Sequence, residues 1–268
     1  MAANLSLDAL SLSATPPTPP PAGREVRVDV DGIRGLISAA QATAAFKNVV
    51  GADSVALSEY TRVNLSTKSF APEAARAAAR GLERMSALET AHLADMISGV
   101  HELDALESLR IVSAAIVASG AAASSLRSID LSDNALGEKG LRACEAMLSG
   151  AATLEKLYLQ NNGLSMEACA ALADILLAPL PGAAEKRATT TLTHLHFFNN
   201  MSGSGGGVAL APLVERSPAL ASLACARGGG GGAHLVVELD VGVDELLLAF
   251  GVLDASGSEV FREGLVYP

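Results

Sequence analysis

Leu126-Arg127-Ser128-Ile129-Asp130-Leu131-Ser132-Asp133-Asn134-Ala135-Leu136 is followed, 28 residues on, by Leu154-Glu155-Lys156-Leu157-Tyr158-Leu159-Gln160-Asn161-Asn162-Gly163-Leu164. Both stretches put apolar residues and an asparagine at the same offsets, L-x-x-L-x-L-x-x-N-x-L with L any apolar residue. A third copy runs through Leu192, Leu195, Phe197 and Asn200, 38 residues further. Looser copies flank these, at Tyr60, Val63, Leu65, Lys68 and Phe70, at Leu88, Ala91, Leu93 and Met96, and at Leu220, Leu223 and Cys225. Six units therefore recur at spacings of 28, 38, 28, 38 and 28 residues, and the ten extra before the third clean copy fit an insertion from Pro179-Leu180-Pro181-Gly182 to Thr191.

Between the copies, apolar residues recur at helical spacing in 72–85, 103–117, 138–148, 166–177 and 208–214. Within a copy the side chains alternate, so Leu157 and Leu159 enter a core while Tyr158 faces out. Strand, turn and helix make the unit, and no unit can bury its apolar face without a neighbour. The expected fold is α/β, a leucine-rich-repeat solenoid of about six repeats with a curved parallel sheet inside and helices outside. Asn134, Asn162 and Asn200 fall in the turn after each strand, where an amide can satisfy backbone groups that leave the ladder.

Residues 1–25, with Pro16-Pro17-Thr18-Pro19-Pro20-Pro21, read as a disordered Pro-rich leader. Residues 26–57 read as an N-terminal capping segment, with a strand over 25–28 and a helix over 39–49. Residues 58–227 carry the repeats. Residues 228–268 form a Gly-rich, divergent C-terminal segment in which Val237, Leu239 and Val241 alternate like a strand, and no polar terminal cap is visible.

Half the residues are hydrophobic, only 3% are aromatic and tryptophan is absent. Such a core is built from Leu, Ala, Val and Ile in many similar layers. The formal charge of −10 and pI near 5.0 argue against nucleic-acid binding, which rests on Lys and Arg neutralising phosphates, and favour a basic protein partner. Cys144, Cys169 and Cys225 have no CxxC spacing and read as small apolar residues in a reducing compartment. With no basic and apolar leader and no run of about 18 apolar residues, neither secretion nor membrane insertion is expected. A cytoplasmic monomer without cofactor is expected.

Leu131-Ser132-Asp133-Asn134-Ala135-Leu136-Gly137-Glu138-Lys139-Gly140, followed by Leu154-Glu155-Lys156-Leu157-Tyr158-Leu159-Gln160-Asn161-Asn162-Gly163, resembles the Ran GTPase-activating proteins, above all those of green plants and algae. His196-Phe197-Phe198-Asn199-Asn200-Met201-Ser202-Gly203 and Arg216-Ser217-Pro218-Ala219-Leu220 are similar to the same family, and the resemblance spans about 30–227. It implies a protein that binds Ran in its GTP form on a concave repeat surface and accelerates hydrolysis, in the cytoplasm or at the nuclear envelope. Such a protein is an enzyme activator, not an enzyme with its own substrate pocket. Many activators of small GTPases insert an arginine, while the glutamine of the switch protein orients the attacking water. The resemblance implies instead an asparagine on a repeat turn that fixes this glutamine, and the matching position is Asn161. The family's Gly-Arg pair after an earlier repeat corresponds to Gly99-Val100, and the family's array is longer than the one read here.

Since Asn162 is the consensus turn residue, Asn161 is expected to be surplus to structure and free to act; a plain turn asparagine is the competing reading. Ser132, Asp133, Glu138, Lys139, Tyr158, Gln160, His196 and Asn199 are the expected partner-binding residues. Asp133 and Glu138 are equally suited to complementing a helix dipole. His194 and His196 face the same side of a strand, but a metal needs a third ligand, so contact surface is expected and no metal. The glycine-rich run 203–207 lacks a P-loop lysine and reads as flexible. No Ser/His/Asp set, Cys/His pair or buried carboxylate pair can be assembled. The alternative to an activator is a repeat scaffold of the ribonuclease-inhibitor kind, which binds a protein and catalyses nothing.

Overall fold

The computed structural model describes residues 23–28, 35–226 and 234–238. The Pro-rich stretch, the glycine run 228–232 and the alternation through Leu239 and Val241 lie outside the described residues. In chain order the elements are β1 (Arg24–Arg27), β2 (Leu36–Ile37), α1 (Ala39–Ala45), α2 (Lys47–Val50), α3 (Ser54–Leu57), β3 (Tyr60–Asn64), β4 (Ser69–Phe70), α4 (Pro72–Leu82), β5 (Thr90–His92), α5 (Glu102–Ala118), α6 (Ala121–Ser124), β6 (Ser128–Asp130), α7 (Gly137–Ala143), α8 (Glu145–Gly150), β7 (Lys156–Tyr158), α9 (Met166–Leu177), β8 (His194–His196), α10 (Gly203–Glu215), β9 (Ser222–Ala226) and β10 (His234–Glu238).

Among the described residues, eight strands form one sheet in the order β1-β3-β5-β6-β7-β8-β9-β10. Val63, Ala91, Ile129, Leu157, Leu195 and Leu223 stand side by side in register, and all are fully buried. The 28 and 38 residue spacing of the sequence is thus the register of the sheet, and the chain is a leucine-rich-repeat solenoid. Each large residue in such a column contributes about 1.5–3 kcal/mol by leaving water. Leu65, Leu93, Leu131, Leu159 and Phe197 form a second buried column. The helices pack in sequence behind the strands, α4 on α5, α5 on α7 and α8, and α9 on α8 and α10.

Local chemistry starts the elements where the pattern needs them. Ser38 and Gln41 make a reciprocal capping box on α1, Pro72 opens α4 where its missing N–H costs nothing, and Ser165 Oγ accepts from the Ala168 N–H to cap α9. At the start of the sheet β1 pairs with β3 in parallel. At its other end β10 returns antiparallel along β9 and takes its outer edge, a closure that no sequence signal for a cap announced.

The two ten-residue extensions are accommodated differently. Between β5 and β6 the chain adds the long helix α5 and the short α6. Between β7 and β8 it adds an irregular segment after α9, held by Arg187, whose Nη1 donates to Ala151 O at 3.0 Å and whose Nη2 donates to Ser149 O at the end of α8. Burial holds this guanidinium below its usual basicity.

Three expectations about helices are corrected, the first being the single helix over 39–49, which breaks at Phe46 into α1 and α2. The stretch read as one helix over 138–148 is divided into α7 and α8 at Cys144, whose N–H bonds to both Gly140 O and Leu141 O. The run 203–207, read as flexible, is the first turn and a half of α10. Gly205 and Gly206 carry no Cβ there because Met166, Cys169 and Ser202 occupy the space one would fill. Cys144 and Cys169 are buried, and burial pushes both thiols up to about 11, so they act as small apolar core residues.

The consensus asparagines tie one turn to the next. Asn134 Oδ1 accepts from Met96 N at 2.9 Å, and its Nδ2 donates to Leu93 O at 2.8 Å and Leu131 O at 2.9 Å. Asn162 Oδ1 accepts from Asn134 N at 3.0 Å while its Nδ2 donates to Leu131 O at 3.0 Å. Asn200 does the same for Asn162 N and Leu159 O. Each amide therefore satisfies backbone groups of the preceding repeat, as expected of structural residues.

Candidate functional site

On β6, β7 and β8 the central residue is buried and its two neighbours face away from the helices. Tyr158 and His196 meet edge to face, with ring centroids 5.1 Å apart, and His194 lies 6.1 Å from His196. His196 Nε2 is 2.9 Å from Ser222 Oγ. Burial, then the charge of His194, hold the His196 imidazole below its ordinary value, so it is neutral at pH 7. Burial, then the Asp130 carboxylate, raise the Tyr158 phenol, which stays protonated. The face thus presents uncharged aromatic donors and acceptors beside Asp130.

Ser132 lies beneath this surface, only 7% exposed. Its Oγ lies 2.6 Å from Asp130 Oδ1 and also bonds to Gln160 Oε1, and its one proton serves these two acceptors. Ser132 therefore orients Asp130 and Gln160, and they, not it, meet the solvent.

Beyond the strand ends lies a rim of turns. Thr67, Asp95, Asp133, Asn161 and Asn199 occupy equivalent positions one residue before the consensus site, with φ of 61, 54, 60, 54 and 56°. This left-handed conformation costs an L residue least when it is Asn or Asp. Asn161 is exposed, and its side chain bridges its neighbours: Nδ2 donates to Asp133 Oδ1 at 2.8 Å, and Oδ1 accepts from Asn199 Nδ2 at 3.0 Å. The expectation that Asn161 is surplus to structure is therefore corrected. Its backbone conformation and both side-chain bonds give it a local role that the repeat grammar did not reveal.

Glu138 and Lys139 sit apart from this cluster, on the first turn of α7. Glu138 complements the helix dipole and reaches Arg142 at 3.8 Å. Lys139 Nζ pairs with Glu102 Oε1 at 2.6 Å, which raises the basicity of the lysine and lowers that of the carboxylate. Between α5 and α7 lies a pocket of about 660 Å³ lined by Val100, Leu106, Leu109 and Leu136, with Asp133 at its border. Val100 packs against the core behind Gly99, whose φ is 74°.

The strand face also holds a shallower groove of about 450 Å³, lined among others by His92, Arg127, Asp130, Glu155 and Lys156. Arg127 and Glu155 pair across neighbouring repeats. Apart from Tyr158, this set was not singled out from sequence. Counting one residue either side of each strand centre along the 28 and 38 residue beat finds His92, Asp130 and Lys156, and counting two residues before the centre finds Arg127 and Glu155. Among the described residues, no three His, Cys, Asp or Glu side chains gather as a metal site, and no helix is long and apolar enough to cross a membrane.

Comparison with known proteins gives the same architecture. The family described as Leucine Rich repeat matches residues 122–143. RAN GTPase-activating protein 1 of Arabidopsis thaliana is 41% identical over 101 residues, which is 37% of this chain and 18% of that protein. RAN GTPase-activating protein 2 of the same plant is 43% identical over 100 residues, 37% of this chain and 17% of that protein. The ribonuclease inhibitor of Sus scrofa is 40% identical over 82 residues, 30% of this chain and 16% of that protein. The chain spans less than a fifth of the length of these relatives.

Proposed function

We propose that this chain is a GTPase-activating protein for the small GTPase Ran. Ran in its GTP form docks on the strand face, against Tyr158, Gln160 and His196, and the Asn161 carboxamide pairs with the glutamine of Ran that orients the attacking water. The observation that carries this reading is the exposed Asn161 amide, held from both sides on the rim beside that face. The identity to the two Arabidopsis proteins, whose names state this activity, supports it. Fixing a reacting group in its productive orientation removes entropy from the activated step, and no group of the activator need change its protonation state. The activator works as a monomer, in the cytoplasm.

A scaffold that binds a protein without catalysis is the second reading, favoured by the identity to the pig ribonuclease inhibitor. Single-turnover hydrolysis of GTP by Ran separates the two. Under the activator reading the chain accelerates hydrolysis, and Asn161→Ala and Asn161→Gly both lower the rate about 100-fold or more. Asn161→Gly retaining full rate would show that Ala fails only through the strained backbone, and the catalytic role of the amide would fall. No acceleration by the unaltered protein leaves the scaffold.

A further inference from the structure

The carboxylate of Asp133 has no proton to give and can only accept. It therefore forces Asn161 to turn its NH2 toward Asp133, at 2.8 Å, which leaves Asn161 Oδ1 facing Asn199. Asn199 must then offer its own NH2, at 3.0 Å. One carboxylate at the end of the row sets the sense of both amides. The turns that carry them are locked in turn: Asp133 N donates to Gln160 O at 3.0 Å, and Asn161 N donates to Phe198 O at 3.2 Å.

After these bonds Asn161 keeps one free N–H and one free lone pair, in a fixed order along the rim. That pair of groups is the complement of a single orientation of another carboxamide. Turned by half a revolution about its last bond, the Asn161 amide would present oxygen to oxygen and N–H to N–H. An asparagine without such neighbours would sample both senses.

Granted the activity proposed above, we infer that Asp133 and Asn199 are positioning residues, which hold the Asn161 carboxamide in the one sense that can pair with the carboxamide of the docked GTPase. Neither touches the reacting atoms. Asp133 and Asn199 thus act through Asn161, and the direction of the row is the variable that matters.

A charge-neutral exchange reverses that direction. In the double variant Asp133→Asn with Asn199→Asp the carboxylate stands at the other end, both residues still suit a left-handed turn, and Asn161 is forced into the opposite sense. Single-turnover hydrolysis by Ran, with the activator titrated, should show kcat lowered about tenfold or more. KM should stay within about twofold, since Tyr158, Gln160 and His196, which carry the docking proposed above, are unaltered. Asp133→Asn alone leaves both senses open, so its loss should not exceed about twofold. A double variant with unaltered kcat overturns the inference.

If the double variant does not fold, Asp133→Gly replaces it, keeping the left-handed turn and removing the acceptor. Because the freed amide still spends part of its time in the productive sense, kcat should fall no more than about twofold, and this variant is read by the exchange of the Asn161 side-chain amide protons: release of one protected proton supports the inference, and no change overturns it. If the unaltered chain does not accelerate hydrolysis, the activity proposed above fails by itself. The side-chain amide protons of Asn161, followed by nitrogen-15 NMR on the full chain, then decide the matter separately. One slowly exchanging proton that is released in Asp133→Gly supports a fixed sense, and two protons exchanging like those of a free amide overturn it.

Discussion

At Asn162 the amide is 1% exposed, and three hydrogen bonds to backbone run through it: from the N–H groups of Asn134 and Leu136 to Oδ1, and from Nδ2 to Leu131 O. Truncation would strand these groups away from water, at about 1–3 kcal/mol each when nothing replaces the partner. Asn161, one residue earlier, is exposed, so water can replace its side-chain bonds. What Ala would lose there is the tolerance of a φ of 54°, about 1–2 kcal/mol. Urea unfolding should therefore rank Asn162→Ala as the most damaging, with a loss of about 2–4 kcal/mol. Asn161→Ala should follow, and Asn161→Gly should be nearly neutral; any other order contradicts the separation of roles. The repeat pattern already separated the consensus Asn162 from Asn161; what it did not reveal is that the Asn161 amide is bonded on both sides along the rim. His196 gives a second expectation at this scale. Its folded value lies below the ordinary 6.5, so the unfolded chain binds the proton more tightly and stability must fall as pH drops through that region. Urea midpoints measured between pH 7.5 and 5 should decline more for the unaltered protein than for His196→Gln, and equal declines would remove His196 from the account.

Helix α4 reaches the array's first turns through a contact that only glycine permits. A Cβ on Gly81 would lie 2.7 Å from both Cβ and Cγ of Phe46, which is fully buried at the junction of α1 and α2. Ala in a helix interior ordinarily gains about 1 kcal/mol over Gly, whereas overpacking a core costs about 1–3 kcal/mol. The clash reaches the Phe46 Cβ, which cannot swing aside without moving the backbone, so the steric term wins. Gly81→Ala should lower stability by about 1 kcal/mol or more in thermal or urea unfolding, and a stabilised variant would show that Phe46 yields. The same kind of contact explains which elements were hard to read. Apolar periodicity cannot see the helical turns of Gly203 to Gly207, where close approach to α9 replaces side chains, so α10 was visible only in its second half. Nor can it see the division at Cys144, because residues 141, 144, 147 and 148 remain buried on one stripe through both α7 and α8.

The whole molecule was legible to the extent that it is periodic. Val63, Ala91, Ile129, Leu157, Leu195 and Leu223 were placed in equivalent positions by counting alone, because a parallel sheet aligned this way needs the same residue at the same offset in every unit. Concave residues such as Tyr158 and His196 followed from strand alternation. The hydrogen-bonded rim row did not, since it depends on side-chain directions at left-handed turns that no spacing encodes. The same periodicity makes the molecule nearly one-dimensional: a unit touches its neighbours and little else, and the asparagines couple each turn to the one before. Damage at one unit should then spread only as far as its neighbours. Leu157→Ala empties a fully buried site at the middle of β7, a loss of about 2–5 kcal/mol. In native-state hydrogen exchange, protection should fall first in β6, β7, β8 and α9, whereas α4, β3 and β5 keep theirs because the contacts of β3 and α4 lie with the first units. A uniform fall from β3 to β9 would mean that the chain opens as one cooperative body, and the description of the array as a stack of nearest-neighbour units would have to be abandoned.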